Sequence, residues 1–203
     1  MVYLQTYNGP SSFLPKKVGA GPNAIVYQIS PDIVVKFLTE GKGLLRKIRE
    51  DDFAEHDINT EYVVADRLYG PDFRISIPEP IGAFKVPIRP LLLQHLMPKK
   101  FRDTVTKRKL PGFVMKKVNG IYIEDAPENK KKELIELAEV ELSKALMAGL
   151  SFLRNEYNVE KNVLWVPPKN NSEQDRVVLT GLSAYHLPGV FRESPPKPAS
   201  KSN

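Results

Sequence analysis

Apolar and polar positions alternate most clearly between Lys16 and Leu38. The run Lys17-Val18-Gly19-Ala20-Gly21-Pro22-Asn23-Ala24-Ile25-Val26-Tyr27-Gln28-Ile29 predicts a short strand, a glycine-containing turn and a second strand. Ser30-Pro31-Asp32 is a turn signal, and Ile33-Val34-Val35-Lys36-Phe37-Leu38 reads as a β-branched buried strand carrying one lysine. The outline is a three-stranded antiparallel meander. A charged connection from Gly41 to Asp52 leads to a predicted helix from His56 to Leu68, with Asp57 as its cap. Glu61, Val64, Ala65 and Leu68 recur there at helical spacing, and Gly70-Pro71-Asp72 ends the helix.

Further along, Ile81 to Val86 predicts a strand, and Gly112 to Val118 another, closed by Asn119-Gly120. Between them lie the apolar run Leu91-Leu92-Leu93 and a basic loop. The strongest helical pattern runs from Glu128 to Arg154, with Leu134, Leu137, Ala138, Leu142, Ala145, Leu146, Leu150 and Leu153 along one side. Two short strands follow, Val163 to Val166 and Arg176 to Leu179, joined by the polar hairpin Pro167 to Asp175. From Leu187 the Pro-, Ser- and Lys-rich composition predicts a disordered tail, in which Ser194-Pro195-Pro196-Lys197-Pro198 also has the composition of a polyproline ligand. The first residues carry no strong periodicity.

Composition narrows the chemistry. With 203 residues, 41% hydrophobic and 27% charged, the chain is an ordinary globular sequence large enough for one domain or two small lobes. It has no cysteine and only three histidines, none paired at metal-ligand spacing, which excludes thiol catalysis and thiolate zinc sites and argues against a metalloenzyme. No apolar run reaches the roughly 20 residues of a bilayer span, and the N-terminus lacks signal-peptide character. A cytosolic or nuclear location is therefore expected. The net charge of +6 is densest at Lys99, Lys100, Arg102, Lys107, Arg108 and Lys109, which reads either as a solvated basic loop or as a phosphate-facing patch.

A glycine-rich turn matters because its backbone N–H groups approach phosphates with no side chain in the way. Gly19-Ala20-Gly21 alone also describes a tight hairpin. Two features add to it. Val26 follows at a spacing suited to cover a flat ring, and Lys36 sits in an apolar strand, where a buried ammonium needs a carboxylate such as Glu61. The order of these residues resembles the protein kinase family. Val18 to Tyr27 is similar to the kinase glycine-rich loop with Ala24 in place of the third glycine. Val34-Val35-Lys36 resembles the strand bearing the phosphate-binding lysine, and Glu61 its helix partner. Phe113 to Gly120 resembles the hinge between lobes. On that resemblance Met115 is the gatekeeper, and Lys116 to Val118 offer backbone groups to adenine. Asn162-Val163-Leu164-Trp165 resembles the end of the catalytic loop, where an asparagine helps hold magnesium, and its style is similar to small kinase-like proteins of filamentous fungi.

The resemblance implies an α+β fold: an N-terminal extension (1–15), a kinase-like N-lobe of antiparallel sheet and one helix (16–118), a reduced, mainly helical C-lobe (119–186) and a tail (187–203). It implies ATP as cofactor at Gly19, Ala20, Gly21, Val26, Lys36, Glu61, Met115, Val118 and Asn162. It also fails at two points. A kinase places an Asp five residues before the catalytic-loop Asn, and here that position is Tyr157, or Asn158 with a one-residue deletion. The metal-binding Asp position falls on Thr180. The reading is a pseudokinase, without catalytic residues and with little dependence on magnesium, that binds nucleotide, a protein partner or a second copy of itself. The alternatives are an atypical phosphotransferase using Glu156 or Glu160 as substitute base, a basic nucleic-acid-binding module at 99–109, and a truncated product.

Overall fold

The computed structural model describes residues 4–6, 16–21, 23–40, 47–49, 51–87, 109–150, 157–168, 170 and 173–181. The basic cluster from Lys99 to Arg108, the Leu91-Leu92-Leu93 run, Glu156 and the Pro-rich tail lie outside them. The fold is mixed α+β. Strands β1 (Gln5–Thr6), β2 (Lys16–Gly21), β3 (Ala24–Ser30), β4 (Ile33–Glu40), β5 (Lys47–Ile48), β6 (Pro80–Pro87) and β7 (Lys109–Lys116) form one seven-stranded sheet. Its order is β1-β6-β7-β4-β3-β2, with β5 on β4. The predicted meander is β2-β3-β4, antiparallel throughout. The sheet as a whole is not purely antiparallel, because β1 runs parallel to β6 with Gln5 opposite Phe84.

Alternation along β4 separates two cores. Val35 and Phe37 join Ile29, Val86, Leu110 and Val114 on one face. Val34 and Leu38 face the other way, into a cluster shared with α1 (Asp52–Tyr69) and the second part of the chain. Lys36 belongs to this second face and is itself only 7% exposed.

Helix α1 starts at Asp52, not at His56. Its cap is Asp51, whose carboxylate accepts the Ala54 N–H at 2.7 Å, rather than Asp57. Asp57 instead lies inside the helix and receives Arg49, which also reaches Asp51. The early turn escapes a periodicity argument because only Ala54 of it is buried and Phe53 is exposed. Downstream, Ile58, Glu61, Val64, Ala65 and Leu68 form the buried face, and the Gly70 N–H closes the helix on the Asp66 carbonyl.

The second part pairs one long helix, α2 (Glu128–Met147), with a three-stranded antiparallel sheet of β8 (Ile121–Tyr122), β9 (Val163–Val166) and β10 (Arg176–Leu179), in the order β10-β9-β8. A 3-10 turn (Ile123–Asp125) precedes α2, and a one-turn helix, α3 (Val159–Asn162), precedes β9. Helix α2 ends at Met147, short of the predicted Arg154, which lies outside the described residues, and β8 is a strand the sequence pattern does not announce. Of the apolar line along α2, Leu134, Ala138 and Ala145 are buried, whereas Leu146 is exposed together with Val140 and Met147.

Ser76 stitches the two parts together. Its N–H donates to Glu141 at 2.8 Å, its hydroxyl donates to the Val177 carbonyl at 2.5 Å, and its carbonyl accepts the Leu179 N–H at 2.8 Å. Ile75 and Ile77 on either side enter the shared core.

Candidate functional site

Strand register brings the predicted residues into one row. Gly19 lies opposite Val26, Val26 opposite Lys36, and Lys36 opposite Phe113. Directly opposite residues share a face of a sheet, so the glycine, the apolar cover and the lysine line the same surface above α1. The Lys36 ammonium donates to Glu61 Oε1 at 2.5 Å, with both side chains 8% exposed. Burying two such charges costs several kcal/mol per ion, and an apolar pair of similar volume serves stability as well or better. Stability is thus a poor reason for this pair. An ammonium has three donors and no acceptor, and Glu61 takes one of them. Glu61 Oε2 is buried and has no hydrogen-bond partner among the described residues.

The hairpin between β2 and β3 turns between Gly21 and Ala24, which pair with each other. Ala20 and Gly21 are exposed, and a Cβ placed on Gly21 would meet nothing within 4 Å, so there is open space on its side-chain side. A bulge between Lys17 and Gly19 leaves Val18 exposed. Met115 is buried at the end of β7, opposite Val34. Of the backbone donors on the segment after it, the Lys116 N–H goes to the Glu79 carbonyl at 2.9 Å and the Lys117 N–H to the Asp32 carbonyl at 2.8 Å. Both are spent within the protein. Strand β7 also ends at Lys116, which puts half-buried Val118 in the connection to β8.

Tyr157, Asn162 and Thr180 converge as well, in a structural arrangement. The Asn162 carbonyl accepts the Thr180 N–H at 2.7 Å, the Thr180 hydroxyl at 2.8 Å and the Tyr157 hydroxyl at 2.9 Å. Tyr157 also reaches the Thr180 carbonyl at 3.0 Å. These hydroxyls tie the end of α3 to the end of β10. Gly181 follows with φ +75°, and a Cβ there would lie 3.0 Å from Asn162 Oδ1. Glycine is the residue that adopts this backbone freely and leaves room for the Asn162 amide. Asn158 caps α3, its side chain accepting the Lys161 N–H at 3.1 Å. Glu160 is exposed on the same turn; the Lys131 pKa is raised chiefly by its hydrogen bond to Glu128, with the Glu160 charge a lesser contributor.

Two groups of residues were not legible as a site in the sequence. Tyr122, on β8, holds its hydroxyl 4.0 Å from the position a Cβ would take on Gly19. Burial pushes that hydroxyl above the usual tyrosine range, and the charge of Glu124 adds to the shift. Asp175 accepts Trp165 Nε1–H at 2.7 Å and the Lys130 ammonium at 2.8 Å, with its side chain 10% exposed. Lys130, then Trp165, hold the Asp175 carboxyl below its ordinary range. Among the described residues no group of three or more His, Asp or Glu is placed to hold a metal ion, and no helix is long and apolar enough to cross a membrane.

No family model matches the chain, and no curated protein matches it. Among solved structures it is similar to Rio2 kinase from Chaetomium thermophilum in complex with ADP, Mg2+ and phosphoaspartate, with 13% sequence identity and a TM-score of 0.46. The match covers 90% of this chain and 49% of that one, so the chain spans about half the length of that kinase.

Proposed function

We propose that this chain is a degenerate kinase-like module that binds nucleotide and does not transfer phosphate. The observation that carries the reading is the buried Lys36–Glu61 pair, with Lys36 on the third strand of the meander and Glu61 on the helix that follows. A kinase uses this strand-lysine and helix-glutamate pair to hold nucleotide phosphates. Gly19 and Val26 stand in the same row as Lys36, on the side where phosphates and a base would lie.

The chemistry around Asn162 argues against catalysis. Phosphoryl transfer needs one carboxylate to orient the attacking hydroxyl and another to hold magnesium. Tyr157 and Thr180 occupy those places in the sequence resemblance, and their hydroxyls are engaged with the Asn162 carbonyl. Each missing group of this kind costs several kcal/mol of transition-state stabilisation, hence orders of magnitude in rate.

The test is a thermal-stability titration with ATP, with and without magnesium, on the wild type and on Lys36→Met. The methionine keeps the apolar stem and removes the donor. ATP at about 100 times Kd stabilises the wild type by about 2.7 kcal/mol, and Lys36→Met loses that gain. Magnesium changes the wild-type shift little, and labelled ATP yields no phosphorylated product. A wild type that ignores millimolar ATP overturns the nucleotide reading; phosphate transfer overturns the inactive one.

A further inference from the structure

Tyr122 stands where the proposed nucleotide site needs space. Strand β8 is held close to β9, with Tyr122 opposite Leu164 and Ile121 opposite Trp165. The preceding Gly120 permits that approach, because a Cβ on it would lie 2.6 Å from the Trp165 carbonyl oxygen. Ile123, the next residue, is fully buried in the shared core, which pins the backbone on the other side of Tyr122. From this fixed position the tyrosine reaches across to the glycine strand of the first sheet. A Cβ on Gly19 would meet Val26 Cβ at 3.8 Å and the Tyr122 hydroxyl at 4.0 Å.

These distances leave no room for a base at Gly19. A flat ring between two surfaces makes contact at about 3.5–4.0 Å on each face, so roof and floor must stand about 7–8 Å apart. The hydroxyl lies 4.0 Å from where a Cβ on Gly19 would sit, and adding a C–C bond of about 1.5 Å puts it within about 5.5 Å of the Gly19 Cα, short of that separation.

We propose that Tyr122 is a gate, closing the nucleotide site from within until its side chain swings away from Gly19. The inference rests on the nucleotide reading of Lys36 and Glu61 and adds the residue that sets how readily the site is entered. A site competent in only a fraction of molecules binds with an affinity reduced by that fraction. Shortening the side chain removes the closed state and its penalty.

The experiment is calorimetric titration of ATP into the wild type, Tyr122→Val and Tyr122→Phe, each first shown to be folded by its thermal transition. Valine suits the extended backbone of β8 and stops short of Gly19, while phenylalanine keeps the ring across the opening. Tyr122→Val binds ATP about tenfold more tightly than the wild type, as expected for a closed state that dominates by that ratio, and Tyr122→Phe stays within about threefold of it. If the wild type binds and Tyr122→Val binds equally or more weakly, the gate is overturned and the nucleotide site stands. If neither binds ATP, the nucleotide reading falls and the gate falls with it. Should Tyr122→Val lack a folding transition, Tyr122→Leu replaces it under the same criteria.

Discussion

At the scale of single residues, Tyr157 stands where the kinase resemblance calls for a carboxylate, and its surroundings suit a hydroxyl donor instead. Its hydroxyl carries one proton and faces two carbonyl oxygens, those of Asn162 and Thr180. An aspartate there would set acceptor against acceptor in a mostly buried place, an arrangement that costs its full desolvation penalty. The tyrosine therefore builds a structural junction, and Thr180 reinforces it through the same Asn162 carbonyl. Tyr157→Phe preserves the ring and removes the donor. Urea unfolding should show a loss of about 1 kcal/mol, with no change in the response to ATP if Lys36 and Glu61 hold the phosphates. A stability equal to the wild type would mean that the hydroxyl contributes nothing to the junction. Lys36 and Glu61 present the opposite case: a buried ion pair whose desolvation is costly, and on the proposed function that cost is offset by the phosphates it holds.

At the scale of elements, the candidate site is bordered by a short strand that no periodicity announces. Strand β8 has two residues, too few for an alternation to be counted. Strand β8 nevertheless positions Tyr122, and Gly120 is what lets it lie against β9. In Gly120→Ala the new methyl group would meet backbone oxygen at 2.6 Å, which no rotamer change relieves. The expected cost is about 1–3 kcal/mol. It should appear as a lower denaturation midpoint together with a shifted emission of Trp165, the sole tryptophan, whose carbonyl is the clashing group. An unchanged midpoint would mean that β8 and β9 separate at little cost.

At the scale of the whole molecule, Asp175 joins α2 to the β9–β10 hairpin through Lys130 and Trp165. Its carboxyl pKa is lowered by folding. A group shifted in this direction adds stability above its unfolded pKa, near 3.9, and that stability is lost as pH falls through the lower folded value. Acid titration followed by Trp165 fluorescence should therefore show a transition below about pH 4, and Asp175→Asn should remove that pH dependence. A transition that persists in Asp175→Asn assigns the acid sensitivity to another carboxylate. Read from the chain alone, the meander, the lysine in its third strand, the long α2 and the β9–β10 pair were all legible. Each is encoded locally, in alternation, helical spacing or turn chemistry. The partnership of Lys36 with Glu61 was also legible, because a charge in an apolar strand demands an opposite charge nearby. The start of α1 is local as well, set by the Asp51 cap, but little of its first turn is buried, so helical spacing alone does not mark it. The parallel β1–β6 pair, the engagement of Tyr157 and Thr180 with the Asn162 carbonyl and the approach of Tyr122 to Gly19 were decided by tertiary structure. Residues distant in sequence meet in each of these three, and strand pairing, side-chain reach and burial exist only once the two sheets and their helices have packed.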